Sequence, residues 1–87
     1  MDIIFSKNAF EEYLYWQKED KKILKRINDL IEDIRRNGNS GIGKPEALKG
    51  NYQGFYSRRI DEKNRLVYRV EQSHVIIILC KSHYGDK

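Results

Sequence analysis

The chain of 87 residues is long enough for one hydrophobic core and two packed layers, and too short for a second domain, so residues 1–87 read as a single unit. Its 17 Lys and Arg against 13 Asp and Glu give a formal charge of +4, which suits an acidic partner such as nucleic acid or an acidic protein, and equally a plain soluble basic domain. The lone Cys80 excludes an internal disulfide, and its spacing from His74 and His83 matches no metal site, so neither a structural metal nor a cofactor is expected.

No basic segment followed by a long apolar stretch opens the chain, and the longest apolar run is far too short to span a bilayer; the chain reads as cytoplasmic. Ile3-Ile4-Phe5 is a short strand that runs into Ser6, a good N-cap. The helix that follows carries Phe10, Tyr13, Leu14 and Trp16 at roughly helical spacing, which predicts core packing, and it ends near Glu19. Asp20 can cap a second helix whose Ile23, Ile27, Leu30, Ile31 and Ile34 form an apolar stripe, with Lys21, Lys22, Lys25 and Arg26 outward as a solvated face. The short connection predicts an antiparallel helical hairpin whose apolar face needs a sheet to cover.

From Asn37 to Lys44 three glycines with Asn and Ser make a loop that lacks the spacing of a phosphate-binding motif. Pro45 restrains the backbone before Glu46, so this carboxylate is expected on a constrained loop or helical turn. Two runs rich in aromatic and β-branched residues then flank Asp61-Glu62-Lys63-Asn64 within 54–70, the composition of a β-hairpin. Leu66, Tyr68 and Val70 alternate with Arg65, Val67 and Arg69, so the first set is expected to face the helices. Ile60 can share that face only if an odd-length loop joins the strands, which puts Arg59 and Arg65 together on the opposite face. Arg58 then falls on the side of Ile60 and is expected at an edge or on a structural partner. The last strand, 75–81, is apolar at nearly every residue and expected inside the sheet; parity puts Leu79, Lys81 and His83 on one side of it.

A surface that carries Glu46, Lys49, Arg59, Arg65 and His83 holds the parts needed to cleave RNA without a metal. Such chemistry requires a base for the ribose 2′-hydroxyl, cations around the phosphorane and an acid for the leaving 5′-oxygen. Glu46 suits the base, and His83 suits the acid because a histidine exchanges protons near neutral pH. Taken singly, a salt-bridged surface glutamate and an exposed C-terminal histidine are the simpler readings; the set is what points to chemistry.

Four segments, EEYLYWQKEDKKILKRINDLI, GKPEALKG, GFYSRRIDEKNRLVYRV and the SHY near the end, together resemble the YoeB/Txe toxins of the RelE superfamily, the toxin half of bacterial toxin-antitoxin pairs. The resemblance implies an α+β fold with two N-terminal helices on a twisted, mainly antiparallel sheet. It further implies a metal-independent, ribosome-dependent endoribonuclease that cuts mRNA in the ribosomal A site. Position by position, Glu46 matches the family's general base, Arg65 its transition-state arginine, His83 its general acid and Tyr84 the aromatic that positions RNA. Lys49 and Arg59 match basic residues that support the phosphate. The implied partners are a YefM/Phd-type antitoxin with an acidic C-terminal segment, operator DNA reached through that antitoxin, and a second copy in a homodimer. The chain runs past Tyr84 into Gly85-Asp86-Lys87, where close relatives stop at or near the tyrosine, and has Tyr56 where many relatives carry Trp.

Two other readings share this scaffold. A RelE-superfamily toxin that binds DNA gyrase lacks the acid and base set, and a non-catalytic RNA-binding protein or corepressor needs only the basic face.

Overall fold

Two polar residues set the path of the N-terminal half. In the computed structural model, which describes residues 1–82, Ser6 donates its N–H to Ile77 O at 2.9 Å and accepts Ala9 N–H on Oγ at 3.1 Å. It therefore closes strand β1 (Asp2–Phe5) and caps helix α1 (Lys7–Glu19) at once. Asp20 does the same between helices, donating its N–H to Trp16 O while its Oδ1 accepts Lys22 N–H and Ile23 N–H at the start of α2 (Lys21–Asn37). At the far end of α2, Gly38 takes φ 65° and donates to Ile34 O at 2.8 Å, a left-handed stop that glycine adopts without strain.

The stripe on α2 packs as its periodicity predicts. Ile27, Leu30 and Ile34 are fully buried against Leu66, Tyr68, Val75 and Ile77 of the sheet, and each such side chain contributes roughly 1.5–3 kcal/mol by leaving water. Helix α1 differs from expectation. Its buried residues are Ala9 and Trp16, with Tyr13 half-buried between them, whereas Phe10 and Leu14 remain 50% and 45% exposed. The inward face follows 9, 13 and 16, and the small Ala9 lets the helix lie close to the sheet. The end of the last strand is fastened to this face: Cys80 donates its N–H to Glu12 at 2.7 Å, and its carbonyl accepts Trp16 Nε1–H at 2.8 Å. Burial pushes the Cys80 thiol up to about 12, with the Glu12 charge adding to the effect.

The sheet has five strands in the order β1-β5-β4-β3-β2, with β2 at Glu46–Ala47, β3 at Tyr56–Arg59, β4 at Arg65–Val70 and β5 at His74–Leu79. β1 runs parallel to β5 and every other pair is antiparallel. β5 lies inside the sheet as expected but ends at Leu79, and an irregularity opposite Val67 and Tyr68 sets Leu79 beside Val67. Glu46 leaves neither a free loop nor a helical turn; it sits on a two-residue edge strand opposite Ser57. The hairpin register matches the parity argument, with Arg59 opposite Arg65 and Arg58 opposite Leu66.

Arg58 therefore points at the helices, where it is fully buried. Its Nε donates to Tyr68 Oη at 3.0 Å, Nη1 to Asp33 at 2.5 Å and Ile42 O at 3.0 Å, and Nη2 to Gly38 O at 2.7 Å and Ser40 O at 2.9 Å. Those five acceptors match the five N–H groups of a guanidinium, so no donor is left buried without a partner. Gly41 permits the arrangement, since a Cβ there would lie 1.9 Å from Asp33 Oδ2.

Replacing Arg58 with Met leaves these acceptors unanswered and is expected to lower stability by about 3 kcal/mol or more in denaturant titration. The hydrogen bond from Arg58 holds the Asp33 carboxyl below its ordinary 3.8, against an opposing push from burial. A folded-state value below the unfolded one gives stability that is complete above pH 3.8 and lost as pH falls below it. Acid unfolding should accordingly be shallower in Asp33→Asn than in wild type, and an equal slope would rule out this carboxylate as a source of the acid sensitivity.

Candidate active site

Because Leu66 and Tyr68 belong to the core, Arg65, Val67 and Arg69 alternate onto the face of the sheet turned away from the helices. Register extends that face across three strands. Glu46 stands opposite Ser57, Ser57 opposite Val67, and two residues along the hairpin Arg59 stands opposite Arg65. Opposed side chains start about 5 Å apart and diagonal ones about 7–8 Å apart, so one carboxylate and two guanidinium groups lie within side-chain reach of a common point. A cleft of about 380 Å³ opens there, lined by Lys44, Pro45, Glu46, Ser57, Arg59 and Arg65. That volume is sufficient for a small ligand or a segment of a larger one.

Arg65 is held from one side. Its Nη1 donates to Asp61 O at 2.6 Å, Asn64 O at 3.1 Å and Glu62 O at 3.3 Å, whereas Nε and Nη2 make no hydrogen bond among the described residues. The free edge of the fork can take two oxygen atoms of one anion. The turn that holds Nη1 is itself fixed by Asp61, whose Oδ1 accepts Lys63 N–H at 2.9 Å and Asn64 N–H at 2.7 Å. Burial pushes the Asp61 carboxyl up, but hydrogen bonds from Asn64 and Lys63 and the nearby Arg65 charge together hold it below the usual carboxylate range. The last described residue is tied to the same turn, since Ser82 donates its N–H to Asn64 Oδ1 at 2.6 Å and accepts Arg65 N–H on its carbonyl at 3.1 Å.

The sequence-predicted residues thus divide. Glu46, Arg59 and Arg65 converge on the cleft. Lys49 is exposed at the start of a 3₁₀ turn, Gly50–Tyr52, and does not line it. His83 and Tyr84 lie outside the described residues, as does the 85–87 tail; the last described residue, Ser82, is fixed beside Arg65. Arg69 is engaged elsewhere, with Nε 2.5 Å from Glu71 and its guanidinium 5.8 Å from the Phe55 ring centre. Two polar lining residues, Ser57 and Lys44, were missed from sequence. Ser57 was legible, being two residues from Arg59 on one strand face; Lys44 was not, because its position depends on a loop held by Arg58.

A larger hollow of about 560 Å³, bounded by Tyr15, Trp16, Glu62, Lys63, Asn64, Lys81 and Ser82, lies beyond the turn. Its Lys81 ammonium stacks 4.8 Å above the Tyr15 ring, and Trp16 Nε1 is already bonded to Cys80, so it gathers fewer free polar groups than the smaller cleft. Among the described residues no helix is long and apolar enough to cross a membrane.

Comparison with known proteins identifies the family to which this fold is similar. A family model described as a YoeB-like toxin of bacterial type II toxin-antitoxin system matches residues 5–84. The chain is 51% identical over 84 residues to a toxin YoeB of Escherichia coli, a match covering 97% of this chain and 100% of that one. A solved YoeB/ParE toxin from Agrobacterium tumefaciens has a TM-score of 0.93 at 40% identity, covering 97% of this chain and 100% of that one. A chain of a heterotetrameric YoeB-YefM toxin-antitoxin complex from Staphylococcus aureus has a TM-score of 0.90 at 54% identity, covering 97% of this chain and 98% of that one.

Proposed function

The chain belongs to the YoeB-like toxins of bacterial type II toxin-antitoxin systems, and from that membership we propose that it is a ribosome-dependent endoribonuclease that cuts mRNA in the A site without a metal. The observation that carries this reading is one carboxylate, Glu46, set across a single cleft from the free edges of Arg59 and Arg65.

In the proposed reaction Glu46 takes the proton of a ribose 2′-hydroxyl, and the freed oxygen attacks the adjacent phosphorus. Negative charge gathers on the non-bridging oxygens of the phosphorane, where Nε and Nη2 of Arg65 supply a fixed pair of donors and Arg59 a second cation. The bond from phosphorus to the 5′-oxygen breaks as His83 protonates that oxygen, leaving a 2′,3′-cyclic phosphate and a free 5′-hydroxyl. Tyr84 orients the RNA, and Lys49 contributes charge from the rim. The attachment of Ser82 to Asn64 and Arg65 supports the assignments to His83 and Tyr84, because the chain continues into those two residues from beside Arg65.

The partner under this reading is a YefM/Phd-type antitoxin, as in the Staphylococcus aureus complex, whose acidic segment would meet the cationic face and through which the pair would bind operator DNA. Pairing of two toxin copies is part of the same reading, and a solved YoeB dimer from Staphylococcus aureus supports it. Action on translating ribosomes places the protein in the cytoplasm.

Single-turnover cleavage of ribosome-bound message tests the roles. Glu46→Gln should be slower by about 10²-fold or more, the scale of a positioned base. Arg65→Ala should lose about 10²- to 10³-fold, as expected when a transition-state donor is removed, and Arg59→Ala less. Wild-type inhibition of translation with every message intact would refute the nuclease reading, and Arg65→Ala cleaving at the wild-type rate would refute the role given to that arginine.

A further inference from the structure

Among the described residues only Lys44 and Ser82 combine a side chain with a left-handed backbone, at φ 52° and 63°. Lys44 lines the cleft and Ser82 is bonded to Arg65 beside it, and a non-glycine residue held in this region is retained against a steric cost. Ser82 is explained by its two backbone hydrogen bonds to the hairpin turn. Lys44 needs another account, because the peptide before it is fixed by Arg59, whose N–H donates to Gly43 O at 2.8 Å, yet its own side chain makes no hydrogen bond or ion pair among the described residues.

The same Gly43 contact puts Lys44 beside Arg59, which in turn stands opposite Arg65. Three cationic side chains therefore cross three neighbouring segments in one row and line one wall of the cleft, with Glu46 as the lining carboxylate. Like charges so arranged repel one another unless an anion lies between them. Arg65 and Arg59, to which the phosphorane was assigned, stand nearest the hairpin turn and Ser82, and Lys44 stands at the opposite end of the row, on the segment that leads into the edge strand β2.

We infer that Lys44 is a substrate-binding residue that holds the backbone phosphate next to the scissile one, so that the RNA strand runs along the row and presents its 2′-hydroxyl to Glu46. The inference rests on the nuclease reading for the identity of the anion. A lysine acts there as a point charge on a flexible stem, which suits a phosphate that is held but not transformed. Such a contact is equal in ground and transition states, so its loss appears in half-saturating concentration rather than in the rate at saturation.

Lys44→Gly separates side chain from backbone, since glycine adopts the observed φ without strain and the variant should fold at least as well as wild type. Binding is measured to ribosomes programmed with a message whose A-site codon carries 2′-O-methyl riboses, which lack the nucleophile. Against salt, the wild-type log-log slope should exceed that of Lys44→Gly by about 0.7, the share of one phosphate contact on a single strand, and Lys44→Arg should keep the wild-type slope. Equal slopes and affinities for wild type and Lys44→Gly would overturn the inference and leave Lys44 a turn residue. A lower saturated rate on unmodified message with unchanged binding would overturn it equally. Wild type that binds these ribosomes but never cuts unmodified message would instead refute the nuclease reading, and the slope would still decide the contact made by Lys44.

Discussion

A buried guanidinium with every N–H satisfied governs how this protein presents its candidate active face. Arg58 stands between Ser57 and Arg59 on β3, yet it points the other way and binds Asp33 of α2, the hydroxyl of Tyr68 and three carbonyls of the loop after α2. That loop has little apolar content to fold upon itself. Its carbonyls are ordered because a cation in a region of low dielectric needs them, and they need it. The loop then delivers Lys44, Pro45 and Glu46 to the far side of the sheet, so a core interaction determines where the candidate base stands.

The two faces of the hairpin thereby solve opposite electrostatic problems. On the inner face one arginine is neutralised and fully hydrogen-bonded, which favours folding. On the outer face the side chains of Arg59 and Lys44 make no hydrogen bond or ion pair among the described residues, and Arg65 offers the free half of its fork. Unbalanced charge of this kind contributes nothing to the fold and is available to an anionic ligand. On the nuclease reading proposed above, the same surface would also draw an acidic antitoxin segment, and substrate and antitoxin would compete for one set of cations.

Much of this was legible in the sequence because strand alternation is strict. Leu66, Tyr68 and Val70 identify the core face, and requiring Ile60 to join them forces Arg59 opposite Arg65 and sends Arg58 inward. The isoleucine stripe of α2 and the caps at Ser6 and Asp20 follow from equally local rules. Failures came where tertiary contacts decide. Phe10 and Leu14 resemble core residues by type, but the small Ala9 lets α1 approach on another face and leaves them exposed. The two-residue strand at Glu46 has no periodicity to detect and exists because β3 supplies its partner. Lys44 joins the site through a loop whose shape is set by Arg58, information spread over residues 33–58 rather than held in any short motif.

The central claim is that this face performs metal-free transesterification on RNA, and the chemistry of the cut ends tests it most directly. Message recovered from ribosomes treated with the protein in excess chelator should carry a 2′,3′-cyclic phosphate on one fragment and a 5′-hydroxyl on the other, detectable by end-specific ligation and mass spectrometry. Fragments bearing a 5′-phosphate, or cleavage abolished by the chelator while ribosomes remain intact, would contradict the account.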